Sequence, residues 1–349
     1  MNTTKWKLFE VSEIFTILTG ALLKPSYLKS GLIPRITATS FNNGISTFTN
    51  EISDKNFRKY NNFISVSFLG DVFYQPNEVS LDMKIHGIKL KDRKMTKDIA
   101  LYLIPLIKKF SKKYSYGNQL SSSVLARQKL LLPIKPNGSP DWEYMEYSVR
   151  EAKRNRNEEL VKHLRIELDK VREFKEVNLI NKEWTTFKVK DIFKITRVTG
   201  EKINDYSDGP VPYVTTSSVN NGVTDFIETT NNISNAKTLS INPIGSSVFY
   251  HDYVYVGRGG AGSSINTLEL IENRVMNEYI GLFIATALSK NTEIKASYGV
   301  QLNGDRLKNM KFLLPINSHN NPDYDLMENY IKKLKFNRIT KALNFLENN

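Results

Sequence analysis

Apolar and polar positions follow two rhythms along this chain. Over residues 141–182 apolar side chains recur at steps of three and four: Met145, Val149, Ala152, Leu160, Leu164, Leu168 and Val171. That spacing is the seam of an amphipathic helix. Asp141, after Pro140, is placed to cap its start. With about 35 residues free of Gly and Pro at 1.5 Å each, the helix would run ~55 Å, too long for one small domain to bury. A second segment from Pro322 onward carries Met327, Ile331, Leu334, Ile339, Leu343 and Leu346 on one face. It is about a third shorter by the same measure. Two such seams predict an antiparallel pair, with Met145, Val149, Ala152, Leu160 and Leu164 facing Met327, Ile331 and Leu334.

Elsewhere the rhythm shortens to that of strands with turn punctuation, at residues 8–15 and 34–39, the latter leading to an Asn42-Asn43-Gly44 turn. Helices are predicted near 98–113 and 276–288. Strands at 129–134 and 311–316 lead through polar, Pro-containing turns into the two long helices.

The blocks recur in order. Trp6-Lys-Leu-Phe-Glu-Val-Ser-Glu-Ile-Phe returns as Trp184-Thr-Thr-Phe-Lys-Val-Lys-Asp-Ile-Phe, 178 residues later. Pro34-Arg-Ile-Thr-Ala-Thr-Ser-Phe-Asn-Asn-Gly returns as Pro212-Tyr-Val-Thr-Thr-Ser-Ser-Val-Asn-Asn-Gly at the same interval. Ser115-Tyr-Gly-Asn-Gln-Leu matches Ser297-Tyr-Gly-Val-Gln-Leu, and Pro140-Asp-Trp-Glu-Tyr-Met-Glu matches Pro322-Asp-Tyr-Asp-Leu-Met-Glu. The chain is one domain duplicated, each copy followed by a helix. The expected boundaries are a first domain at 1–140, a central helix at 141–183, a second domain at 184–321 and a terminal helix at 322–349. The copies diverge between blocks: Gln75 to Lys84 in the first stands where the second has His251 to Gly262. A shared scaffold with different loops points to two related sites for different ligands.

Composition changes this picture little and charge changes it more. A chain of 349 residues with 40% hydrophobic content has room for two cores. The absence of Cys removes disulfides, thiolate metal sites and cysteine nucleophiles, and fits a reducing cytosol. No signal-peptide core opens the sequence, and the longest apolar runs, at 100–107 and 279–288, are far short of a membrane span. A soluble, cytoplasmic protein is expected. Of the net charge of +13, residues 1–142 hold +11, residues 143–183 sum to zero and the remainder holds +2. The first domain is thus a candidate for binding a polyanion, against the plainer reading of a basic soluble protein.

Taken together, the Trp-x-x-Phe-x-Val-x-x-Ile-Phe opening, the Thr-rich Asn-Asn-Gly block, Gly257-Arg-Gly-Gly-Ala-Gly262, the Ser-Tyr-Gly-x-Gln segments and the Leu-Pro-Ile…Pro-Asp-Trp-Glu-Tyr-Met-Glu run resemble the specificity (S) subunits of type I restriction–modification systems, including the similar type IIB variety. The resemblance covers the whole chain. It implies an α+β protein: two repeated mixed α/β target-recognition domains joined by long antiparallel coiled-coil helices. It further implies that each domain reads one half of a bipartite DNA site, while the helices measure the unread spacer and dock adenine-methyltransferase subunits. Those subunits would bring S-adenosylmethionine, this chain holding no cofactor, and a nuclease subunit would cleave. The first copy lacks the Gly-Arg-Gly-Gly loop, so Arg258 has no counterpart to carry over.

The candidate contacts follow from residue chemistry. Asn suits adenine, Arg suits guanine, and Ser or Thr suit bases or phosphates. Thr37, Thr39, Ser40 and Asn42, with Thr215, Ser217, Ser218 and Asn220, form the densest polar rows. Asn43-Gly44 and Asn221-Gly222 read as turn residues. Arg258 sits in a loop beside Tyr253 and Tyr255. Tyr116 and Gln119, with Tyr298 and Gln301, are contact candidates, or else parts of a core turn. Arg127 and Arg306 resemble phosphate clamps, and Lys84 lies in the divergent loop. Lys108, Lys109, Lys112 and Lys113 form a solvated helix end or a backbone-neutralising patch.

Catalytic motifs fail on context. Gly257-Arg-Gly-Gly-Ala-Gly262 satisfies G-x-G-x-x-G but opens no helix. Pro140-Asp141 with Glu151-Ala-Lys153 mimics a nuclease motif, yet those residues share one helix. His86, His163, His251 and His319 are scattered without metal-ligand spacing. A non-catalytic subunit is expected. The rivals are a self-contained methyltransferase or nuclease with unfamiliar motifs, and a helical adaptor that binds protein rather than DNA.

Overall fold

The computed structural model describes residues 4–348 apart from 199, 246, 260–263, 272–273, 296–300 and 303. It divides into two compact units, Met1–Glu159 and Leu160–Asn349, so the division falls inside the central helix.

In the first unit β1 (Lys5–Glu10) runs into α1 (Val11–Ile14), β2 (Phe15–Thr19), β3 (Ile33–Ile36), β4 (Ile45–Thr49), β5 (Lys59–Tyr60), β6 (Phe63–Ser67), β7 (Val72–Gln75), β8 (Val79–Leu81) and β9 (Ile85–Leu90). Then come α2 (Lys97–Ser111), α3 (Ser122–Ala126), β10 (Lys129–Ile134) and α4 (Trp142–Lys170). The expected strand at 8–15 is broken by the single turn α1. Glu10 and Glu13 cap each other's backbone there, and the i, i+3 pair Val11 and Ile14 is buried, which a strand would send to opposite faces. The strand expected at 34–39 ends at Ile36, where the polar row begins.

Three sheets result. β1 pairs with β10, one four-stranded sheet has the order β2-β9-β6-β7, and a second has β4-β3-β8-β5. Only the β3–β8 pairing is parallel. Every side chain of β6 is buried, because both faces of its sheet are covered. The main core gathers Phe15, Ile64, Ile88, Leu103, Leu125 and Leu132, and a smaller one gathers Ile36, Phe63, Leu81 and Ile85. Thr96 caps α2, its hydroxyl accepting from the Ile99 amide at 3.3 Å.

The second unit repeats the plan with β11 (Trp184–Lys188), α5 (Val189–Ile192), β12 (Phe193–Arg197), β13 (Asp208–Val214), β14 (Val223–Ile227), β15 (Ile233–Ser234), β16 (Thr238–Ile241), β17 (Val248–His251), β18 (Tyr255–Gly257) and β19 (Asn266–Leu270). α6 (Glu278–Lys295), α7 (Gly304–Asn309), β20 (Lys311–Pro315) and α8 (Tyr324–Glu347) follow. Its sheets are β11-β20, β12-β19-β16-β17 and β14-β13-β18-β15, the same order strand for strand. The duplication read from the sequence is therefore a duplication of topology.

Each long helix starts alike. Asp141 and Asp323 each accept from the amide three residues on, at 3.0 Å in both cases. Their own amides donate to the carbonyls of Pro133 and Pro315, at 2.8 Å each. The helices are shorter than expected: 29 residues for α4 and 24 for α8, or ~44 Å and ~36 Å. Residues 171–183 are not helical. Instead Val171 is buried and Phe174 meets the Phe336 ring at 5.5 Å, so this segment folds onto α8.

The expected seam also needs correcting. Met145 is buried in the first domain's core and Met327 in the second's, with Ile331 packed against the latter. Val149 is half-buried, while Ala152, Leu160 and Leu334 are exposed. Of the residues expected to pair, only Leu164 does so. The packing within the second unit sets Val161, Leu164, Leu168 and Val171 against Phe336, Ile339 and Leu343. Arg165 bonds Glu347 at 2.8 Å, whereas Glu176 reaches Lys333, so position rises on one segment as it falls on the other and the pair is antiparallel. The opening turns of each helix serve its domain, and what lies beyond is left for pairing. Among the described residues no helix is long and apolar enough to cross a membrane.

Candidate nucleic-acid interface

The polar rows emerge at the ends of β3 and β13 and close on the Asn-Asn-Gly turns. Thr37 and Thr215 donate their amides to the carbonyls of Gly44 and Gly222, at 2.9 and 2.8 Å. Asn42, Asn43 and Gly44 all have positive φ (48°, 54° and 78°), and Asn220, Asn221 and Gly222 repeat this (53°, 53° and 76°). Asn tolerates the left-handed region better than other side-chain-bearing residues, and Gly enters it freely. Asn42 and Asn220, expected as base contacts, are thus held in the turn backbone as firmly as the Asn and Gly that follow. Two hydroxyls also serve the turn: Thr39 accepts from the Phe41 amide, and Ser217 from the Val219 amide, both at 3.3 Å. Thr215 in turn accepts from the Ser217 amide at 3.3 Å. Ser40 and Ser218 are exposed and Thr37 is half-buried.

The first turn is anchored from beneath by a buried polar side chain at the end of β7, and the matching residue at the end of β17 is buried as well. Gln75 donates to the Asn43 carbonyl at 2.9 Å and to the Ser65 hydroxyl at 3.1 Å. Its counterpart His251 bonds the Ser240 hydroxyl at 2.8 Å and the Tyr253 hydroxyl at 3.2 Å. Asn242 donates to the Thr216 carbonyl at 2.9 Å, fixing the second row. These bonds escape a sequence reading because their partners lie on other strands, and the sequence does not show that Gln75, His251 and Asn242 point inward.

Burial lowers the His251 pKa from 6.5 to about 4, the charge of Asp252 offsetting only part of the effect. Between those values the unfolded chain binds a proton that the folded chain excludes, so stability falls as pH drops through this window. At pH 5 the loss is ~2 kcal/mol relative to neutrality. Urea unfolding at pH 7 and pH 5 should show this for the natural chain, and His251→Gln should shrink the difference. An equal pH effect in both proteins would remove His251 as its source.

The remaining candidates fall in separate places. In the first domain Lys84, at φ 65° in the β8–β9 turn, sets its ammonium 4.8 Å from the Phe68 ring, and Phe68 meets Tyr116 edge-on at 5.7 Å. Gln119 donates to the Tyr116 carbonyl at 3.2 Å. Lys84, Tyr116 and Gln119 therefore form one exposed cluster that sequence distance had concealed. Lys108 and Lys113 lie over Phe73 and Tyr114. Arg127 follows α3 and is exposed, whereas Arg306 lies within α7 and donates to the Gln301 carbonyl at 2.7 Å. Buried Leu125 and Leu307 align the two segments, so Arg127 corresponds to Asn309 and the two arginines are not equivalent. Arg306 supports the backbone at Gln301, which is half-buried. Tyr298 lies outside the described residues.

Arg258 follows β18, its amide donating to the Val214 carbonyl at 2.7 Å; Asp82 after β8 donates likewise to Ile36 at 3.0 Å. The parallel pairings put Tyr213 opposite Val256 and Arg35 opposite Ser80. At one structural position the domains therefore carry Asp82 and Arg258, and at its neighbour Arg35 and Tyr213. Arg35 is buried, donating to Ser80 at 2.7 Å and to Asp82 at 2.5 Å. Tyr213 is buried too, but donates to the Glu201 carbonyl at 2.6 Å. Burial raises its pKa and the Arg258 charge pulls partly against that. Arg258 is exposed at the edge of a polar pocket of about 450 Å³ that also holds Lys202, Asn204, Thr215 and Asp225.

Two copies of one mixed fold, each bearing an anchored polar turn, define a duplicated recognition protein. The model of the type I restriction modification DNA specificity domain matches residues 3–162 and again 181–344, and the chain belongs to that family. It is 34% identical over 154 residues to the specificity subunit S.BcgI of a type II restriction enzyme from Heyndrickxia coagulans. That match covers 43% of this chain and 44% of that relative. The fold is shared with the S subunit of a type I restriction–modification system from M. genitalium, with a TM-score of 0.59 at 15% identity over 99% of this chain and 94% of the other.

Proposed function

We propose that this chain is the DNA-recognition subunit of a restriction–modification complex, each domain reading one half of a bipartite duplex site. The observation carrying this reading is the repetition itself: identical strand order in both domains, with the first polar turn fixed to buried Gln75 and the second polar row to buried Asn242. A rigid turn can present neighbouring side chains to a groove at low entropic cost. Different loops on a shared frame let the two halves of the site differ. The long helices set the unread spacer and dock adenine-methyltransferase subunits, which bind S-adenosylmethionine and act on an extruded adenine. A nuclease subunit supplies cleavage. This chain contributes recognition rather than chemistry and works in the cytoplasm.

The first domain's excess of positive charge, with exposed Lys84 and Arg127, gives the reading a measurable signature. Duplex binding by the full chain should weaken steeply with salt, by about 10³-fold or more between 50 and 200 mM if six or more phosphates are neutralised. Fluorescence anisotropy with a labelled duplex checks it. Binding indifferent to salt, or none at low salt, would favour a protein-binding adaptor.

A further inference from the structure

The charge exchange between the two domains has a chemical meaning. In the first, Asp82 is closed off by Arg35 at 2.5 Å, and that guanidinium is 3% exposed. In the second, Tyr213 has replaced the arginine and the position of Asp82 is Arg258. Among the described residues the Arg258 guanidinium has no hydrogen-bond or ion-pair partner. Asp225 lines the same pocket from β14, directly across from Tyr213 in the strand register. One of its oxygens accepts from the Phe226 amide at 2.9 Å, and it too has no ion pair among the described residues.

A cationic fork and a carboxylate thus border one pocket without neutralising each other. A phosphate would meet the fork but be repelled by the carboxylate. The ligand that satisfies both offers two adjacent acceptors with a donor beside them. The major-groove edge of a G·C pair has that order: guanine N7 and O6 accept, and cytosine N4 donates.

We propose that this pocket is a base-pair reading site for G·C, in which Arg258 donates to guanine and Asp225 accepts from cytosine. The first domain has no counterpart, because Arg35 and Asp82 satisfy each other. Lys202, at the same rim, is placed to hold the flanking phosphate and carries no sequence information. This rests on the DNA-recognition reading above and adds to it a pair of specificity-determining residues in one domain.

Selection from a randomised duplex pool, using the full chain as natural protein, Arg258→Ala and Asp225→Ala, tests the proposal. Both residues are exposed, and unchanged thermal unfolding midpoints would show the variants folded. The natural chain should enrich a G·C pair at one position of one half-site. Arg258→Ala should relax that position by about 10- to 100-fold, and Asp225→Ala should relax the same position less. All other positions should keep their preferences. A uniform loss across sequences with Arg258→Ala would make it a phosphate contact and overturn the proposal while sparing DNA recognition. Relaxation at different positions by the two variants would also overturn it. Enrichment of no sequence by the natural chain would overturn both readings.

Discussion

Replacing the first domain with that of another family member should rewrite one half of the recognised DNA sequence and leave the other half unchanged. The two domains have separate cores, one built around Phe15, Ile64 and Leu103 and the other around Phe193, Leu239 and Ile284. Gln75 holds the first domain's turn and Asn242 the second domain's row. Among the described residues the bonds of Thr215, Ser217 and Asn242 are made to neighbours in their own unit. Each correct base contact is worth ~1–3 kcal/mol, so exchanging the several contacts of one half-site would redirect modification entirely. Mapping methylated sites in cells that express the chimera with its partner subunits would reveal the change. Altered sequence in both halves would show that the domains do not act independently.

Excising residues 155–158 from α4 should shorten the tolerated spacer by about two base pairs or abolish modification. Four residues of α-helix rise ~6 Å and turn ~40° beyond a full circle, against ~3.4 Å for each base pair. The segment is exposed on all sides, and Val161, where the packing against α8 begins, lies beyond it. The deletion should therefore leave the stability of either unit nearly unchanged, which urea unfolding would confirm. Methylation of sites with the original spacer at the original rate would end the idea that this helix sets the gap.

Much of this architecture was legible in the sequence, and the exceptions share a cause. The duplicated blocks marked equivalent strands, and Asp141 marked the start of α4, because turns and caps are local. The seam was misplaced because three- and four-residue spacing states which face is apolar but not what covers it. Met145 and Met327 satisfy the period as well as Leu164 does, yet they are buried in domain cores. The end of α4 was also hidden, since Phe174 folds back through a contact with Phe336, 162 positions away. Of the candidate interface, Arg258 and the polar rows were readable by residue type. Asp225, Gln75, His251 and the Arg35–Asp82 pair were not, because each depends on strand register between distant segments.

The placement of Met145 and Met327 bears on how such proteins can be recombined. The helix leaves its domain already locked by a methionine inside that domain and by a bond from the Asp141 amide to Pro133. The direction of exit is thus a property of the donor's own interior. A crossover at residue 140 would graft a foreign methionine into a core shaped around another one, and would tilt whatever the helix carries. A join at 155–158, beyond the Lys153–Asp98 ion pair and where every residue is exposed, transfers the exit angle intact with the module.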